Sequence, residues 1–541
     1  MLNYSSNFTC PLATSPEASS PGFRFFVDLY RENVGRKQEA LEIQYRQGTS
    51  TPMLLHQFVL LYLLPVIGLL LPQRTCHSVR HVRRLIFISV AALGTWMMKR
   101  TRTVAFGNGC LLGIHPLTMI HRSATLLIFK DPEADFRRIE RRVIPQKRSA
   151  GPSSSANSRR LSRTPKVQEV LVWQGYPTKL WHRFEWVSGL LLTSMGNEWN
   201  WRVKSLEPMP KAIYEQLQKH PHEHVNLVAI DLSTTSSSDR FKVNLFHLAE
   251  LYILVDIIKA LMMQDPYFWG NIASCPQGPQ VLVKILAASP FRMRVYRSVL
   301  SIFYLKFALD AGMLLRRVLL HGLALTCPRT FQALTPIPLD ASWLYPYPSG
   351  SIVSVWDHGL AGAWGLYWHQ RFRFDLTSSY QWALSFLPKE MRQSRTVRGI
   401  ARALISFTLS AAIHVVPALF QSEVTNPLSS IGLFFVLQGF GIILQWTWTS
   451  FVWPRFFSRN LSIPSRRVAN FVFLFVWLFI TGPYVFDDYA RSGLWLTEYT
   501  PISLVRAFGF GGDRGGWWRW GGNPFRIWRG ETWWESGIRI F

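Results

Sequence analysis

The sequence is short of acid. Its 32 aspartates and glutamates stand against 59 lysines and arginines, a formal charge of +27 over 541 residues. In a soluble protein such an imbalance points to nucleic acid. Here much of the positive charge sits between apolar blocks, as it does in the cytoplasmic loops of membrane proteins. Membrane orientation is therefore the preferred reading, and nucleic acid is not expected as a partner. Cysteine is also scarce. There are five, none in a CxxC pair, and they give no sign of a disulfide framework or a zinc site. Residues 1–50 hold no continuous apolar core, so no signal peptide is read there. Also missing are a GxSxG elbow, a P-loop, an HExxH helix and an HHxxxD motif. Their absence sets aside serine hydrolases, P-loop ATPases and zinc proteases of the usual kinds.

What the chain has is apolar surface in blocks. Nearly half the residues are hydrophobic, with 23 tryptophans and 37 phenylalanines. Residues 53–71, 85–98, 104–129, 246–263, 299–325, 352–368, 403–420, 431–453 and 468–484 read as helical segments of varying strength. A span needs roughly 20 apolar residues, so the expectation is an all-α, polytopic transmembrane bundle of about seven to nine helices. The chain divides into a polar arm (1–50), N-terminal spans (51–130), a basic Ser-rich loop read as cytosolic and flexible (131–169), a core (170–490) and an interfacial tail rich in Trp, Gly and Arg (491–541). Trp181–Leu192 reads as an interfacial helix. The glycosylation pattern occurs at Asn3, Asn7 and Asn460.

Ionisable groups inside apolar helices are costly and so are candidates for function. The sharpest is His414, in a stretch free of charge, with Ser410 one turn earlier on the same face. A neutral imidazole there could act as a general base; a core histidine satisfied by a backbone carbonyl is the competing reading. A second cluster runs from Trp364 through Trp368, His369, Gln370, Arg371 and Arg373. Its donors and cations suit phosphates or lipid head groups, or simply a membrane boundary. A third joins Asp256, open to pairing with Lys259, to Asp265-Pro266-Tyr267, which also reads as a helix end. If Asp256, Asp310 and His414 lined a pathway, the chain would instead be a transporter.

These clusters resemble the fungal wax-synthase-like branch of the membrane-bound O-acyltransferases. Trp364–Arg373 resembles that family's FWGRRWHQ-type block, and Phe407–His414 its FxxSGxxHE block. Asp256 with Asp265–Gly270 resembles its D…DPYFWG stretch, and Ser194–Trp201 its RGIGWNW stretch. The four blocks occur in order across roughly residues 170–490. Val415 stands where the family often has Glu, Leu366-Tyr367 replaces two arginines, and Met195-Gly196-Asn197-Glu198 departs from Arg-Gly-Ile-Gly. The resemblance implies a multi-pass enzyme of the endoplasmic reticulum that moves acetyl from acetyl-CoA to a hydroxyl of a hydrophobic terpenoid or meroterpenoid. Long-chain wax ester synthesis from other acyl-CoA is the alternative. It further implies His414, His369 and Gln370 as catalytic, and Trp364, Trp368, Arg371, Arg373, Ser410, Asp265 and Tyr267 as substrate- or CoA-binding. Neither a metal nor a bound cofactor is implied; acyl-CoA is a co-substrate, and the partners are the acceptor alcohol and the bilayer.

Overall fold

The computed structural model describes residues 21–72, 78–103, 106–145, 167–218, 237–273, 284–286, 288–420, 425–456, 462–509, 517–520 and 525–540. The asparagines of the three glycosylation patterns lie outside them. The described chain is overwhelmingly helical. The main helices are α1 (Pro21–Arg46), α2 (Leu55–Leu70), α3 (Ser78–Arg100), α4 (Phe106–Ala124), α5 (Leu180–Leu192), α6 (Ser237–Met262), α7 (Pro290–Thr326), α8 (Val353–Gly362), α9 (Arg373–Leu384), α10 (Arg395–Ala418), α11 (Leu433–Thr447) and α12 (Ile463–Arg491). Among the described residues, four helical segments are long and apolar enough to cross a membrane: α7, α10, the run Leu428–Phe456 that contains α11, and α12.

Local sequence explains where these helices begin. Ser394 caps α10 by accepting from the Val397 amide, and Ser462 does the same for α12 with Ser465. α7 runs unbroken through the Lys306 and Asp310 that interrupt its apolar pattern. The two side chains pair one turn apart, and Ser349 donates to Asp310 Oδ1 at 2.7 Å. Each buried charge is thus matched within the protein, which is the condition for burying it.

α6 packs along α7, α8 along α12, and α10 along both α4 and α11. Gly439 of α11 allows the last contact, because a Cβ there would meet Phe407 Cβ at 3.2 Å and the Ala403 carbonyl at 3.4 Å. One core gathers Val255, Leu300, Tyr304, Ala411, Phe434, Val485 and Trp495 between α6, α7, α10, α11 and α12. Another joins α2, α3, α4 and α5 around Leu61, Val90, Leu126, Trp186 and Trp199. Large apolar side chains such as Phe246, Leu444, Val472 and Ile480 are left exposed on the outer helix faces, as a lipid environment permits.

Two expectations are corrected. The flanks of the 131–169 segment are not loop. β1 (Arg138–Pro145) and β2 (Val167–Gln174) pair antiparallel, Arg138 opposite Gln174, and Arg138 is buried against Glu185. The Ser-rich centre lies outside the described residues. Asp256 does not pair with Lys259. Its carboxylate accepts from the Ser503 hydroxyl (2.5 Å) and the Val505 amide (2.9 Å), while Lys259 donates to the carbonyls of Trp495 and Thr497. Both residues tie α6 to the chain after α12. The tail itself closes in a short hairpin, β3 (Phe525–Trp528) with β4 (Gly537–Ile540).

Candidate active site

A cavity of about 1130 Å³ lies between α8, α9, α10 and α11, with the first turns of α12 at its rim. One face of α10 runs its length. Arg395, Thr396, Gly399, Arg402, Ser406, Ser410 and His414 all line it, recurring at the helical period. At 1.5 Å per residue, Arg395 and His414 stand about 28 Å apart along the axis. The Arg395 end is basic: Arg373, Arg402 and Arg466 join it, and Asp357, the one acid in the lining, is paired with Arg467 at 2.7 Å.

The rim is shaped by a break in α8. Gly359 takes φ 55° inside that helix, a conformation other residues rarely adopt. Gln445 fills the gap, accepting from the Leu360 amide at 3.0 Å and donating to Asn470, which in turn donates to the carbonyls of Trp356 and Asp357.

His414 is at the opposite end. Its Nδ1 lies 2.8 Å from the Ser410 carbonyl oxygen. A carbonyl can only accept, so Nδ1 carries the hydrogen and Nε2 keeps its lone pair in the neutral ring. The ring stacks on Phe435 at 4.1 Å and 25°, which fixes its plane. The backbone-carbonyl contact expected of a core histidine is therefore present, but it satisfies one nitrogen and leaves the other as a base.

His369 lines the same cavity. It follows a π-helical turn (Ala363–Tyr367) that ends α8, closed by the Trp368 amide on the Ala363 carbonyl at 2.8 Å. Among the described residues its Nδ1 is buried without a hydrogen-bond partner. Burial first, and then the nearby Arg371 and Lys306 cations, push its pKa down to about 3, so the ring is neutral at ordinary pH. Gln370 is committed elsewhere. Its amide donates to the carbonyls of Trp364 (3.0 Å) and Trp368 (2.7 Å), and its oxygen accepts from Arg373 (3.3 Å), whose same nitrogen reaches the Gly365 carbonyl at 2.8 Å. Gln370 and Arg373 thus clamp the turn that presents His369.

The fold brings His414, His369, Gln370, Trp364, Trp368, Ser410 and Arg373 to one cavity. Three of the residues singled out in the sequence are elsewhere. Arg371 is exposed and outside the lining. Asp265 caps a short helical turn and holds Arg297 with both oxygens, at 2.7 and 2.9 Å. Tyr267 donates to Asp487 at 2.7 Å beneath the Arg297 guanidinium. Arg395, Arg402, Arg466 and Phe435 were not singled out. The first two could have been found by tracing the three-to-four spacing back from His414 to the start of its helix.

Residues 345–437 match the model of the membrane bound O-acyl transferase family. The matched stretch holds both histidines, Trp364 and Phe435. No curated protein and no solved structure matches the chain. The matching segment supplies lining at both the basic rim and the closed end of the cavity, and the match supports the membrane-bound O-acyltransferase family for that stretch, within a chain that has four helical segments able to span a membrane among its described residues.

Proposed function

We propose that this protein transfers acetyl from acetyl-CoA to a hydroxyl of a hydrophobic terpenoid or meroterpenoid, in the endoplasmic reticulum membrane, as a fungal wax-synthase-like enzyme of secondary metabolism does. The observation that carries the reading is the free Nε2 lone pair of His414 at the end of a cavity whose rim is basic. The arginines at the rim suit the phosphates of CoA, electrostatically and by their forked donors. The thioester then lies down the α10 face, towards His414.

His414 Nε2 takes the hydroxyl proton as the acceptor oxygen bonds to the thioester carbonyl carbon. The tetrahedral species collapses with cleavage of the C–S bond, and the imidazolium returns the proton to the sulfur. The products are the ester and CoA. His369 supplies a hydrogen bond to the oxyanion, since the amide protons of Gln370 are taken. Transfer is direct, because among the described residues the cavity is lined by no Cys, and neither Ser406 nor Ser410 hydrogen-bonds through its hydroxyl to His414 or His369.

The test uses microsomes carrying the full chain, given labelled acetyl-CoA and a panel of terpenoid alcohols, with esters read by mass. The expected result is acetylation of one or more of the alcohols, lost in His414→Ala while the protein still inserts. Ester formation by His414→Ala at the wild-type rate overturns the mechanism, and no CoA release with any alcohol overturns the function.

A further inference from the structure

The cavity has a closed end, and its wall is aromatic. No residue of α10 beyond His414 and no residue of α11 before Phe435 lines it. Behind these positions Ala411, Val415, Ala418, Ile431 and Phe434 belong to the packed core. Trp364 stands at the centre of that wall. Its ring meets Trp368 at 5.5 Å, Phe407 at 6.0 Å, Phe434 at 6.1 Å and Phe435 at 6.2 Å, the first three edge-on. Phe435 is the ring on which His414 stacks, so the indole is one ring removed from the base.

The indole is also tethered. Its N–H donates to Gln438 Oε1 at 3.3 Å, and Gln438, fully buried, donates in turn to the Phe434 carbonyl and to Thr481, each at 3.1 Å. A ring surrounded on several sides and fixed by its polar atom cannot swing aside without leaving Gln438 unpaired, which close-packed interiors penalise.

We propose that Trp364 sets the length of the acyl group, its tethered indole being a wall that the acyl tail meets beside His414, so that acetyl and other short chains are accepted and long ones refused. The inference rests on the acyl-transfer reading above. A thioester carbonyl held at His414 Nε2 has its CoA arm towards the rim and its acyl tail towards the closed end. Each added methylene then needs volume that Trp364 and its neighbours already fill, and a single methylene in an apolar pocket changes discrimination by roughly tenfold or more.

The experiment compares acetyl-, butyryl-, octanoyl- and palmitoyl-CoA as donors to one acceptor alcohol, in membranes carrying wild type, Trp364→Ala or Trp364→Phe. Wild type is expected to favour acetyl strongly. Trp364→Ala should raise the octanoyl-to-acetyl ratio by about tenfold or more, and Trp364→Phe by less. Palmitoyl transfer equal to acetyl transfer in wild type overturns the proposal and leaves acyl transfer standing. An active Trp364→Ala with the wild-type ratio also overturns it. Transfer from no donor by wild type removes the acyl-transfer reading and this one with it. The wild-type donor series decides the matter even where Trp364→Ala does not accumulate.

Discussion

Two of the polar clusters among the apolar helices of this protein differ in how completely the protein satisfies them. At Asp265, both carboxylate oxygens accept from Arg297, and nearby Tyr267 gives its proton to Asp487. At the end of the cavity, among the described residues, His414 bonds through one nitrogen only, and His369 Nδ1 is buried with no partner. Buried polar groups are normally hydrogen-bonded, and the exceptions ask for an explanation. The first cluster needs none beyond holding α7 to the turn after α6 and to the end of α12. The second has unused hydrogen-bonding capacity at the closed end of a cavity. Both clusters carry the same sequence signal, a polar residue in an apolar run, and partner saturation is what separates them.

The contrast breaks most sharply at His414. His414→Ala should lower ester formation by about 10²–10⁴-fold with insertion and melting temperature near wild type, because the ring makes only one hydrogen bond to the protein. His369→Ala should cost about 10²–10³-fold in kcat and leave the KM for the donor little changed, since an oxyanion contact acts in the transition state. A His369→Ala variant that raises KM and spares kcat would place that ring in donor binding instead.

Asp265→Ala tests the other side. Removing one partner leaves the Arg297 charge buried, and breaking such a pair costs about 3–5 kcal/mol. The expected outcome is less folded protein and an earlier thermal transition in detergent, with the surviving fraction retaining wild-type specific activity. Replacing both partners together, Asp265→Leu with Arg297→Met, should recover much of the loss, because an apolar pair of similar volume can replace a buried ion pair. If Asp265→Ala melts like wild type but fails to turn over, the two clusters are not different in kind.

Much of the bundle was legible in the sequence, because α10, α11 and α12 are apolar runs whose length a bilayer dictates. Their extents were not. α10 begins eight residues before the apolar run at Ala403, with a Ser394 cap and three arginines in its first turns, two of which, Arg395 and Arg402, line the rim. The β1–β2 ribbon was hidden by composition: Val170–Trp173 is a short apolar run without strand-like alternation, next to a basic, Ser-rich stretch. His414 could be found because an imidazole is conspicuous among aliphatics. What it does with each nitrogen depends on the Ser410 carbonyl one turn back and on Phe435 arriving from another helix. Arg371 and Arg373 look equivalent in sequence. They separate because the chain turns between them, sending Arg373 back to the Gly365 carbonyl and Arg371 outward.

The smallest expected effect lies at the rim, where Arg402 is exposed and Arg373 is not free. Arg373 is committed to the turn that carries His369, so its replacement should disturb kcat together with KM. Arg402 lines the cavity from the exposed first half of α10, where a cation meets a phosphate still in contact with water. A surface charge pair contributes about 0.2–1 kcal/mol, so Arg402→Gln should raise the donor KM by no more than about fivefold and leave kcat alone. The effect should shrink as salt is added, because the screening length falls to about 3 Å at 1 M. Salt-independent loss of kcat in Arg402→Gln would mean that this arginine supports the cavity wall, and that the basic rim does not greet the donor.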